Sequence, residues 1–149
     1  MNMLFHNLFR YHDFGLLFYR IVFGLSMMAH GYFKFAGGQN TLYAIGHTTA
    51  QFGVPDGFLL LGMAAAAAEL LGGFLLILGF LTRLGALLIA FTLFIATVAA
   101  WDGGFFKWDY PSQMMFGAIM LFIAGPGRYS VDSCLLYTSP SPRDRSLSR

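Results

Sequence analysis

Charge is scarce in this chain. Asp, Glu, Lys and Arg make up 11% of its 149 residues, hydrophobic residues make up 57%, and the mean hydropathy is +0.64. A soluble domain is about a quarter charged, so the composition places most of the chain in lipid. Cysteine is nearly absent as well. The lone Cys134 excludes an internal disulfide, a CxxC redox pair and a thiolate metal site. Of the four histidines only His30 falls in a long apolar stretch, while haem held by two facing histidines needs a second. The eight methionines are scattered and read as packing rather than as copper ligands. There is no Ser–His–acid set, no glycine-rich phosphate loop, no carboxylate pair, and no basic stripe for nucleic acid. The sequence therefore assigns no catalytic residue, no metal site and no evident cofactor. A redox role would need a partner protein or a bound quinone.

What the chain does have is long apolar runs. A membrane helix needs about 20 mostly apolar residues to cross about 30 Å. Three stretches meet this, at about 14–35, 58–81 and 83–101, and a shorter one lies at about 112–125. The expected fold is all-α, an integral membrane four-helix bundle. The fourth helix is expected to start near Pro111, since proline suits a first turn. No cleavable signal peptide is read at the N-terminus, because the first apolar stretch is long enough to remain as a span. Arg10, Arg83 and Arg128 fall on one side of such a bundle, and Lys34 and Lys107 on the other. By the positive-inside rule this puts both termini in the cytoplasm. The loop 36–57 is expected to hold a short interfacial helix, with Leu42, Ile45 and Phe52 toward lipid and Pro55 ending it. Trp101, Phe105, Phe106, Trp108 and Tyr110 read as an aromatic belt.

The last residues, "CLLYTSPSPRDRSLSR" (134–149), are polar, basic and broken by proline. Back-translated, they resemble the DNA of a sequencing-library adapter, which would make them a non-native tail. The rival readings are a basic lipid-binding arm and a phosphorylatable tail. The segment holds three of the chain's nine Lys and Arg and one of its seven Asp and Glu. Residues 1–133 alone therefore carry six of each and no cysteine.

"AAAAAELLGG" is the segment most suggestive of chemistry. Glu69 falls midway along its span, where a charge costs several kcal/mol unless it is paired, hydrated or protonated. Gly62, Ala65, Ala66, Glu69, Gly72 and Gly73 share one face at spacings of three and four, and small residues there let another helix approach. On the first span Arg20, Gly24, Met27, Gly31 and Lys34 follow the same spacing, with His30 beside them. If the two spans run antiparallel, the first beginning and the second ending at one membrane surface, a rise of about 1.5 Å per residue puts Arg20 about 9 Å, Glu69 about 18 Å and His30 about 24 Å above it. A polar cluster of Arg20, His30 and Glu69 follows, with Lys34 at its mouth. Such a cluster either forms a cavity for a small ligand or a proton, or only fixes which helices pack together.

Four motifs occur in order: "RIVFGLSMMAHGYFKF" (20–35), "FGVP" (52–55), "AELLGGFLLILGFLTRLGAL" (68–87) and "GPGRYSVD" (125–132). Together they resemble the DoxX family of small four-helix membrane proteins over residues 14–133. The resemblance implies a bacterial inner membrane and places Arg20, Gly31, Lys34, Glu69, Gly73, Arg83, Gly127, Arg128 and Asp132 at the family's motif positions. It also implies association with redox or detoxification complexes, and so redox-protein partners or a homo-oligomer within the lipid bilayer. Read physically, Gly125, Pro126 and Gly127 end the last helix, and Arg128 sits among headgroups beside Asp132.

Three functions fit these residues. The first is an accessory subunit of a membrane redox or detoxification complex that holds a quinone near Glu69. The second is a small-molecule or proton-coupled transporter, and the third is a purely structural membrane module.

Overall fold

A computed structural model describes residues 11–137. The helices run α1 (His12–Ala36), α2 (Gly38–His47), α3 (Phe58–Leu78), α4 (Thr82–Ala100), α5 (Phe105–Ala124) and α6 (Val131–Tyr137), and the described residues contain no strand. The fold is all-α, as expected, but the count of four helices is inexact. Three segments, 12–36, 58–78 and 82–103, are long and apolar enough to cross a membrane. α5 is a fourth long helix, but its first half carries Lys107 and Asp109.

The ends of these helices follow from local chemistry. Asp13 lies in the first turn of α1 and Lys34 in its last, each favourably placed on the helix dipole. The five alanines of α3 are the strongest helix formers. α3 stops at Gly79, whose φ of +67° suits glycine. There the amide of Gly79 donates to Leu76 O and that of Phe80 to Leu75 O, a Schellman closure. α5 begins at Phe105, six residues before the expected start, with Pro111 inside it. Stacking of Trp108 on Trp101, with ring centroids 5.1 Å apart, and its edge-to-face contact with Phe105 at 5.2 Å hold that first turn. An already nucleated helix can absorb Pro111, which withholds one backbone hydrogen bond and crowds the preceding turn.

Glycines set how closely the helices pack. α1 and α3 run antiparallel, with Gly24 against Gly73 and Gly31 against Ala66 and Leu70. A Cβ on Gly31 would lie 2.6 Å from Leu70 N. α3 and α4 close together at Gly72 and Gly85, beside their connecting turn. α2 lies on α3 through Gly46 and Gly62, so closely that a Cβ on either would strike backbone. Leu42 is thus buried on α3 rather than turned toward lipid, because the small residues of α3 offer it a groove. The segment after α2 ends at Gly53, with φ +82°, before Pro55 is reached.

The core joins four helices through Phe23 and Met27 of α1, Leu76 of α3, Ile89 and Leu93 of α4, and Ala118 and Leu121 of α5. The outer faces are apolar too. Phe18, Leu60, Phe116 and Ile123 are all more than 60% exposed, a surface that water does not favour and lipid does. α6 reaches into the adapter-like stretch as far as Tyr137, and residues 138–149 of that stretch lie outside the described residues.

Candidate functional site

The ionisable residues of the interior separate into two groups at opposite ends of the α1–α3 pair. Toward the far end of α1, Lys34 Nζ donates to Glu69 Oε1 at 2.5 Å. Glu69 is 2% exposed and the Lys34 side chain 24%. The second carboxylate oxygen, Oε2, is buried and has no partner among the described residues. Stripes of small residues bring this pair together. Gly31, one turn before Lys34, lets α1 lie against Ala66 and Leu70, which flank Glu69.

Lys34 also forms part of the wall of a cavity of about 510 Å³. α3 lines it with Leu61, Ala64, Ala65 and Ala68, and α4 with Leu88, Phe91, Thr92, Ile95 and three alanines. Ile45, Gly46, Thr48 and Thr49, from α2 and the turn after it, line a further side. Its origin is mechanical. α3 and α4 touch through glycine at Gly72 and Gly85, and beyond that point six of their facing residues are alanines too short to fill the space. Lys34 is the sole charged residue of the lining. The hydroxyls of Thr48, Thr49 and Thr92 donate to Ile45 O, Gly46 O and Ile89 O. They offer the cavity no proton. Small-molecule sites are commonly apolar hollows of about 300–1,000 Å³ with few polar groups, and this one fits that description.

Arg20 stands in the second group, one correction to the sequence reading. Its guanidinium donates to Pro126 O and, at 2.7 Å, to Tyr129 O, and it lies beside Gly79, not Glu69. The reason is register. Gly24 faces Gly73 and Gly31 faces Ala66, so Glu69 is level with residues near Met28–Gly31, above the height that one shared surface gives. His30 is at that level but on another face, where its Nε2 shares a 2.9 Å hydrogen bond with Tyr110 Oη of α5. The expected set of Arg20, His30, Lys34 and Glu69 is thus three separate contacts, of which only the Lys34–Glu69 pair reaches the cavity, through Lys34.

The motif "GPGRYSVD" forms a clasp around Arg20. Asp132 accepts from the amides of Leu81 and Thr82, at 2.8 and 3.0 Å, and from Thr82 Oγ1. It thereby caps the start of α4 from a distant part of the chain. The Asp132 amide in turn donates to Gly79 O. Gly125 (φ +78°) and Gly127 (φ +70°) shape the loop. Arg83 lies beside Gly125, Gly127 beside Leu16, and the amide of Arg128 donates weakly to Asp13 at 3.4 Å. Arg128 thus meets α1 and does not pair with Asp132, whose carboxylate is taken up by the α4 cap. Gly73 serves the α1–α3 contact. The docking of Asp132 on Thr82 and the Tyr110 partner of His30 had no signal in the sequence, since both depend on tertiary placement. Among the described residues no three His, Cys, Asp or Glu gather to hold a metal.

Long apolar helices with lipid-suited outer faces, and with Arg20 and Glu69 turned inward, define a multi-pass α-helical membrane protein. Residues 15–102 match the family model named DoxX, and the chain belongs to the DoxX family. That match includes α1 to α4, and with them Lys34, Glu69 and the cavity, and it stops before the clasp motif. No curated protein and no solved structure matches the chain.

Proposed function

We propose that this protein is an accessory subunit of a membrane redox or detoxification complex, and that its cavity holds a quinone. The observation carrying this reading is an apolar hollow of about 510 Å³ whose lining includes one charged residue, Lys34. A quinone ring and the start of its tail match such a hollow in size and polarity. Lys34 directs one of its three N–H groups at Glu69 and keeps two that can donate a hydrogen bond to a ring carbonyl. When bound, the quinone would supply two-electron redox chemistry, while the chain supplies shelter from water, one hydrogen-bond donor and a fixed orientation. The proposed setting is the bacterial inner membrane, with both termini cytoplasmic on the strength of Arg83 and Arg128. A redox protein is the proposed partner.

The full chain, purified in mild detergent from bacterial membranes, is expected to retain quinone detectable by mass spectrometry. Added short-chain quinone is expected to raise its thermal midpoint, and Lys34→Met to remove both effects. No retained quinone and no thermal shift would reject this reading. A second reading, proton-coupled transport, is favoured by the unpartnered Oε2 of Glu69, which has room in its bonding to take a proton. It requires pH-driven uptake into vesicles that Glu69→Gln abolishes.

A further inference from the structure

We infer that Glu69 sets the charge selectivity of the cavity: by neutralising Lys34 it restricts the site to uncharged amphiphiles bearing a hydrogen-bond acceptor, and it excludes fatty-acid-like anions. This rests on the reading of the hollow as a ligand site, but not on the ligand being a quinone.

Lys34 is the one charge in the lining, and its neighbours on α3 and α4 are alanine, leucine, isoleucine and phenylalanine. Alone, a lysine at the wall of an apolar hollow would be a receptor for carboxylates. Here it is already matched, since Nζ lies 2.5 Å from Glu69 Oε1 and Glu69 is almost wholly buried. Lysine and glutamate together carry no net charge. A neutral carbonyl or ester can accept one of the remaining ammonium protons without disturbing that balance. An anionic head would bring a second negative charge to one cation in a low-dielectric site, and such like-charge juxtaposition costs several kcal/mol. The buried Oε2 sharpens the effect, because among the described residues no second donor shares the carboxylate's charge with Lys34. The threonine hydroxyls offer an anion no relief, as their protons are given to backbone carbonyls. Apart from Lys34, no side chain in the lining can donate a hydrogen bond to the ligand.

Two probes of one shape test this: dansylaminoundecanoic acid and its methyl ester. Each is titrated by fluorescence into full-length protein in phosphatidylcholine nanodiscs, corrected against protein-free discs, at a mildly alkaline pH where the acid is ionised. The wild-type protein is expected to bind the ester at least about tenfold more tightly than the acid. Glu69→Gln is expected to shift the acid-to-ester ratio at least about tenfold toward the acid. Ala96→Phe, which fills the hollow from α4 and leaves the ion pair in place, is expected to abolish specific binding of both probes. Equal wild-type affinities would overturn the inference, and so would an unchanged ratio in Glu69→Gln or undiminished binding in Ala96→Phe. The wild-type comparison decides even if Glu69→Gln fails to fold. Ester preference without quinone retention leaves this inference standing and rejects the quinone. Quinone retention without charge discrimination does the reverse.

Discussion

Glu69 and Lys34 are individually expensive in a membrane, and each is tolerated because of the other. Removing one partner of a buried pair leaves an uncompensated charge, which costs about 3–5 kcal/mol, whereas replacing both with apolar residues is often neutral. Lys34→Met and Glu69→Leu are therefore each expected to lower the thermal midpoint in detergent, and the double variant to regain most of the loss. A double variant as unstable as the worse single one would show that the pair's hydrogen bond itself is required. The position of Glu69 was legible from sequence, because one acidic residue midway along an apolar run has few explanations. Its partner was not. Choosing between Arg20 and Lys34 needs the vertical offset of two helices, and that offset is set by Gly24, Gly31 and Gly73 meeting backbone on the facing helix. Spacing along one helix gives the face a residue occupies, but not its height against another helix.

At the scale of elements, α2 shows how a polar-looking loop becomes a wall of the site. Its sequence suggested a helix lying in the membrane surface with Leu42 in lipid. The groove along Gly62 instead takes Leu42, and Gly46 lets α2 settle against Phe58. That contact also positions Ile45, Gly46, Thr48 and Thr49 at the cavity. Gly62→Val is therefore expected to push α2 away and to weaken binding of the ester probe at least about tenfold, beyond any loss of stability. Limited proteolysis between residues 37 and 57 should accelerate in the same variant. Unchanged probe affinity with accelerated proteolysis would mean that α2 is not a needed wall. The long helices themselves were readable from apolar length alone, because lipid demands it. The start of α5 was not, since aromatic stacking from Trp101 extends it past the Pro111 that sequence rules favour as a start.

At the scale of the whole molecule, the two ends have separate tasks. One end is tied by Arg20 to the carbonyls of Pro126 and Tyr129 and by Asp132 to the start of α4. The other end, where α3 and α4 diverge, holds the cavity and the Lys34–Glu69 pair. The tight glycine contact between Gly72 and Gly85 lies between them. Loss of a helix cap costs about 0.5–2 kcal/mol, and Asp132 satisfies two amides and a hydroxyl at once. Asp132→Ala is thus expected to lower the thermal midpoint and to speed hydrogen exchange at Leu81 and Thr82. It is expected to leave the affinity for the ester probe within about twofold of wild type, because no clasp residue lines the cavity. Affinity that fell in step with stability would show that the ends are coupled through α3 and α4. In that case the clasp would be part of the binding apparatus rather than a fastening beside it.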